Sequence, residues 1–228
     1  MAIPTQLEVP YERQLNTLSP RMCGAAALCM VYRSFGIVCS QEEVWSDIAG
    51  PRTSGAACAR TYMLCADALR RGFAAMTLQV RQALDLLRAA LEQEIRVIVN
   101  HRQDLNSRSG HYSVVVGMDA ESLAIHDPLL GPARWLDQAE WLKLWRPGWS
   151  NSEVRGNLAV FIGQCAVDSA RCRLCGRRVP AQLLCPRCRK EIPLQPSLIL
   201  GCLDCLCPER TWDLLFCPWC DAELDRVR

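Results

Sequence analysis

A membrane-length apolar run is missing from this 228-residue chain; the most apolar stretches, such as residues 158–167, fall far short of a span. A basic leader followed by an apolar segment is missing too, since the chain opens Met-Ala-Ile-Pro-Thr-Gln. These two absences lead us to expect a cytoplasmic protein, neither exported nor embedded in a membrane. Charge of one sign is also scarce. With 26 basic and 24 acidic residues the formal net charge is +2, so no long-range field selects nucleic acid, an anionic surface or an acidic substrate. The first 164 residues show no repeat and no low-complexity tract.

Cysteine is what the chain has in excess. Its 15 cysteines, without a secretion signal, read as reduced thiols serving metal binding or catalysis rather than as disulfides. Their density changes near residue 165, with five before it and ten in the last 64 residues. Two parts are therefore expected, residues 1–165 and 166–228, and the 50% apolar composition suffices for one large core and a smaller appendage.

In the first part, good helix formers from Cys23 through Met30, with Gly36 where a left-handed cap would stand, predict a helix over residues 23–35. The capping box Ser40-Gln41-Glu42-Glu43 opens a second helix to about Ile48, and a third is expected over residues 57–71, ahead of Gly72. Helical spacing of Ala83, Leu84, Leu87, Ala90 and Leu91 leads into a β-branched strand at residues 95–99. Residues 111–118 and 122–126 read as a hairpin, Asp137 caps a Trp-containing helix, and residues 158–163 read as a closing strand. Helices first and an antiparallel sheet second give an α+β fold.

A catalytic thiol acts as its thiolate and gains from a helix N-terminus and a nearby imidazole. Cys23 begins the first expected helix, and Gly24 after it leaves the backbone open to an approaching carbonyl. His111 starts one strand of the expected hairpin and Asp127 ends the other, so pairing would bring imidazole and carboxylate to the same end. By contrast, Cys29, Cys39, Cys58 and Cys65 read as core. His101 reads as a solvated loop residue, and His126 as facing away from Asp127. Trp135, Trp141, Trp145 and Trp149 read as packing residues rather than a stacking platform.

In the tail, Cys172/Cys175 and Cys185/Cys188 form one pair of CxxC knuckles, and Cys202/Cys205 and Cys217/Cys220 another. Two knuckles complete the tetrahedral sulfur shell that zinc accepts, so eight ligands and two structural Zn²⁺ ions are expected. Disulfides and iron–sulfur clusters fit the compartment and the Cys-Pro-x-Cys context less well. Sequence order gives each ribbon its own knuckles, at residues 170–192 and 200–223, although an interleaved pairing uses the same eight. Cys207 is left over, as a free thiol or a replacement for Cys205. The tail looks too poor in apolar residues for a core, so metal would supply its folding free energy, on the order of 10 kcal/mol per site, and chelation would unfold it. Residues 193–197 read as a hinge. The basic residues around the first ribbon are largely offset by the net charge of about −2 on each four-thiolate zinc site, which favours protein recognition over nucleic acid.

The stretches Val9-Pro10-Tyr11-Glu12-Arg13-Gln14, Cys23-Gly24-Ala25-Ala26-Ala27-Leu28-Cys29-Met30 with Phe35-Gly36, His111-Tyr112-Ser113-Val114-Val115-Val116-Gly117 and Asp127-Pro128 occur in order. Together they resemble the C39-like branch of the papain-like cysteine peptidases over residues 8–165. The resemblance implies a papain-like fold with Cys23 as nucleophile, His111 as general base and acid, Asp127 as its orienter, and Gln14 as an oxyanion-hole donor. It also implies a protein or peptide substrate, with a glycine-ended site suiting a narrow cleft, while the ribbons recruit that substrate. The family's best-known members cut leader peptides after Gly-Gly and are fused to transporters, which this chain lacks. The competing expectations are a transpeptidase or deamidase using the same thiol, and a non-enzymatic adapter built on the same scaffold.

Overall fold

The computed structural model describes residues 5–50, 57–147, 152–164 and 171–224. A short strand β1 (Thr5–Gln6) precedes helix α1 (Cys23–Ser34), whose residues 23–32 are all buried. Its small alanines let the helix pass through the middle of the molecule, and Gly36, at φ +81°, takes the left-handed turn after it. Helix α2 (Gln41–Ile48) starts as its capping box requires, with Ser40 Oγ accepting from the Glu43 N–H at 3.1 Å. Helix α3 (Thr61–Arg70) starts later than expected. Residues ahead of it are instead extended, with Ala59 bridging Ala49, and this places Cys58, Ala59 and Arg60 beside Cys23 in a cleft.

Strand β2 (Ala74–Val80) was not legible in the sequence, because Ala74-Ala75-Met76 has helical propensity and almost every side chain is buried, which removes the alternation. It is followed by α4 (Ala83–Glu92), β3 (Arg96–Arg102), β4 (Gly110–Met118), β5 (Ser122–Asp127) and β6 (Gly131–Asp137). Helix α5 (Gln138–Trp145), capped by Asp137 Oδ1, and β7 (Leu158–Gly163) complete the first part. Trp141 and Trp145 are fully buried, and Trp145 Nε1 donates to the Leu158 carbonyl at 3.2 Å. Trp135, on β6, is 44% exposed; Trp149 lies outside the described residues.

The tail departs most from expectation. It contains β8 (Gln182–Leu184), β9 (Glu191–Pro193), a 3₁₀ turn (Ser197–Ile199), β10 (Trp212–Phe216) and β11 (Glu223–Leu224). Strand β10 pairs antiparallel with β2, with Leu215 opposite Leu78, so one nine-stranded sheet runs β11-β10-β2-β7-β3-β4-β5-β6, and β1 adds to β4. Val179, Ile192, Leu194, Ile199, Leu200, Trp212 and Leu215 join the same hydrophobic core as α1 and the central strands. The change near residue 165 thus separates compositions, while the packing is continuous. The tail does not depend on metal alone for its burial. The expected hinge at residues 193–197 is instead docked, with Leu194 fully buried and its N–H on the Ala181 carbonyl. Among the described residues no helix is long and apolar enough to cross a membrane.

Candidate active site and metal clusters

Cys23 sits at the first turn of α1, with 7% of its surface exposed. The helix N-terminus presents a partial positive charge there. The β3–β4 register places His101 opposite His111, and the β4–β5 hairpin brings Asp127 to the same end. His111 Nε2 donates to Asp127 Oδ1 at 2.9 Å, and Cys23 lies close enough to the ring to favour its charged form, while Cys23 Sγ donates to the Arg21 carbonyl at 3.9 Å. The structure thus hydrogen-bonds His111 to Asp127 and sets Cys23 near the imidazole.

Burial alone would disfavour charge on both partners of the His111–Asp127 pair. For His111 the hydrogen bond it donates to Asp127, helped by Cys23, outweighs it and pushes the imidazole up to about 9. For Asp127, burial is outweighed by His111 and by the Leu129 and Leu130 N–H groups, which hold the carboxyl below the usual range. Those N–H groups donate to Oδ1 at 2.9 and 3.1 Å, and Arg134 Nη1 donates to Oδ2 at 3.0 Å. Arg134 was missed by sequence reading, since it lies on β6, a strand the pattern did not reveal.

Gln14 is buried and its backbone N–H donates to the Pro128 carbonyl at 2.9 Å, so the segment is tied to the Asp127 loop. Its side-chain amide donates to Asn16 Oδ1 at 2.8 Å and the Pro20 carbonyl at 2.9 Å, while Oε1 is buried without a partner. Both N–H groups are thus engaged in this state, unlike the free oxyanion donor that was expected.

The other two histidines are structural. His101 is 2% exposed, not the solvated loop residue expected, because β3 extends past it. Its Nδ1 donates to the Arg102 carbonyl at 2.8 Å, and Nε2 accepts from Ser113 Oγ at 2.9 Å. The ring packs edge-on to His111 at 5.4 Å between centroids, and burial lowers its pKa to about 3. His126 donates from Nε2 to the Val9 carbonyl and accepts the Ala133 N–H at Nδ1, so it pins the N-terminal segment onto the β5–β6 hairpin.

The tail brings its knuckles together in an interleaved pattern. Cys172, Cys175, Cys202 and Cys207 form one cluster, and Cys185, Cys188, Cys217 and Cys220 the other, with the four sulfurs of each within 4.8 Å of one another. This corrects two expectations. Each cluster takes a knuckle from both halves of the tail, and Cys207 stands where Cys205 was expected. Cys205 is exposed at the outside of a turn closed by the Cys207 N–H on the Asp204 carbonyl. Gly201 at φ +58° makes this approach possible, since a Cβ there would lie 1.9 Å from the Glu209 carbonyl oxygen. Arg210, buried and missed by the sequence reading, braces the loop by donating to the Leu203, Trp212 and Asp213 carbonyls.

The Cys172–Cys207, Cys175–Cys202, Cys185–Cys220 and Cys188–Cys217 sulfur pairs are each 3.7 Å apart. A tetrahedron with metal–sulfur bonds of about 2.3 Å has edges of about 3.8 Å, whereas a disulfide is about 2.0 Å. The donor set and spacing fit a tetrahedral metal ion at each cluster.

Residues 6–147 match the Peptidase_C39 like family. A putative C39-like peptidase from Bacillus anthracis superposes with a TM-score of 0.57 at 15% identity, covering 72% of this chain and 100% of that one. The peptidase domain of Streptococcus ComA, a bi-functional ABC transporter involved in quorum sensing, superposes with a TM-score of 0.53 at 18% identity, covering 69% and 100%. No curated protein matches the chain.

Proposed function

Because the chain belongs to the Peptidase_C39 like family, we propose that it is a cysteine peptidase with Cys23 as nucleophile, His111 as proton carrier and Asp127 as orienter. The observation that carries this reading is the buried His111–Asp127 hydrogen bond at 2.9 Å, with Cys23 near the ring and set at a helix N-terminus. The Cys23 thiolate adds to a substrate carbonyl, and the tetrahedral oxyanion faces the Cys23 backbone N–H. Gln14 joins it by exchanging its bond to the exposed Asn16 side chain for the oxyanion. Imidazolium His111 then gives its proton to the departing amine as the C–N bond breaks, leaving a thioester. Neutral His111 next takes a proton from water, whose oxygen attacks the thioester and releases the acid and Cys23.

The substrate is a peptide or protein presenting small residues. A preference for glycine beside the scissile bond is what the family resemblance implies. Two Zn²⁺ ions at the cysteine clusters would supply structural cross-links without redox chemistry, and such thiolates suit a reducing cytoplasm. Hydrolysis of a Leu-Gly-Gly anilide tests the reading. Wild type should cleave it, Cys23→Ser and His111→Ala should not, and wild-type inertness with a freely alkylated Cys23 would favour an adapter.

A further inference from the structure

The cleft beside Cys23, of about 320 Å³, is bounded on one side by Asp221, the residue that directly follows the cluster ligand Cys220. Asp221 is held by its own knuckle, where its N–H donates to the Cys217 carbonyl at 3.0 Å. It is held as well by Arg155, a cleft residue whose Nη2 donates to Asp221 Oδ2 at 2.9 Å. Arg155 also reaches Glu223 and lies over the Phe216 ring of β10 at 5.3 Å. Phe216 immediately precedes Cys217 and pairs with Thr77 of β2. A short covalent and hydrogen-bonded path thus leads from the second cysteine cluster to the wall of the peptidase cleft.

We propose that the cluster of Cys185, Cys188, Cys217 and Cys220 is a built-in part of the substrate cleft, so that metal loading there controls peptide binding without touching the reacting atoms. The inference rests on Cys23 being the peptidase nucleophile. A metal ion would hold the Cys217–Cys220 knuckle in one conformation, and with it Asp221 and Arg155 at the cleft wall. Without metal, only weak thiol–thiol contacts at 3.7 Å link the Cys217–Cys220 knuckle to its partner knuckle. The device makes cleavage dependent on metal while the nucleophile and its imidazole, on α1 and β4, stay in place.

The test compares two labels on Cys23 of the full chain by peptide mass spectrometry. Iodoacetamide is small and reports the thiol, whereas a Leu-Gly-Gly vinyl sulfone must fill the cleft. In the chain carrying two zinc equivalents both should label Cys23. Chelation should slow vinyl sulfone labelling at least tenfold while iodoacetamide labelling changes less than twofold, and added zinc should restore the former. Arg155→Ala, with two zinc equivalents still bound, should slow the vinyl sulfone severalfold and leave iodoacetamide unaffected. Equal vinyl sulfone labelling with and without metal, or in Arg155→Ala and wild type, overturns this inference alone. A loaded chain whose Cys23 resists both reagents overturns the peptidase reading and this inference with it.

Discussion

Replacing Asp127 with asparagine should collapse the protonation of His111, and the chain's three histidines make this directly readable. In the folded protein His111 is held charged up to about 9 against its own burial, with Asp127 as the first stabilising partner. A rise from about 6.5 to about 9 corresponds to about 3 kcal/mol of preference for the imidazolium. Asparagine keeps an acceptor for Nε2 but loses the charge, and its NH₂ would confront the Arg134 guanidinium that now meets Oδ2. Burial then opposes the charge with only Cys23 left to favour it, and the His111 midpoint should fall well below 9. At pH 7.5 the charged fraction, about 97% in wild type, should drop with it.

The assay is a ¹³C-histidine NMR titration between pH 4.5 and 10. In wild type one resonance should titrate near 9, while His101, buried against Trp141 and Ser113, should not titrate in the range. A wild-type protein with no histidine midpoint above 7.5, or an Asp127→Asn variant that leaves the high midpoint in place, would refute the argument.

The same pair sets a pH dependence of stability. His111 is raised in the folded state, so its contribution is fully present below about 6.5 and is lost as pH climbs through about 9; urea unfolding of wild type should lose up to about 3 kcal/mol between pH 6 and pH 10, and Asp127→Asn much less. From the partner's side Asp127 is depressed, so the same contribution also fades as pH falls below about 3.9. Cys207→Ser should lower the zinc content measured by atomic emission from two equivalents towards one, whereas Cys205→Ser should retain two. The reverse result would restore the CxxC assignment. Trp212→Ala removes a fully buried indole that donates to the Leu200 carbonyl at 3.1 Å, and should cost about 3–5 kcal/mol. Because β10 belongs to the central sheet, calorimetry should show one transition moving down, not a tail melting on its own.

Much of the site was readable because its signals are local. Cys23 at a helix start, His111 after a polar loop and Asp127 at a strand end need only element boundaries and one hairpin, which short-range alternation and turn residues supply. The capping boxes at Ser40 and Asp137 were likewise complete within four residues. What failed had no local signature. Strand β2 looks helical residue by residue and is a strand because β7 and β10 flank it. His101 looks like a loop residue until β4 is laid beside it.

The sequence by itself determined that eight or more cysteines would gather in the tail, and that a thiol, an imidazole and a carboxylate stood at the right element ends. Spacing within a knuckle is covalent geometry, which the chain carries wherever it goes. Which knuckles meet was decided only by the tertiary structure. Pairing of β10 with β2, and burial of Leu194, Leu200 and Trp212 in the common core, bring Cys202 and Cys207 to the first knuckle and Cys217 and Cys220 to the second. The same packing sets Asp221 against the cleft, because burying apolar surface rewards contact between segments regardless of their distance along the chain.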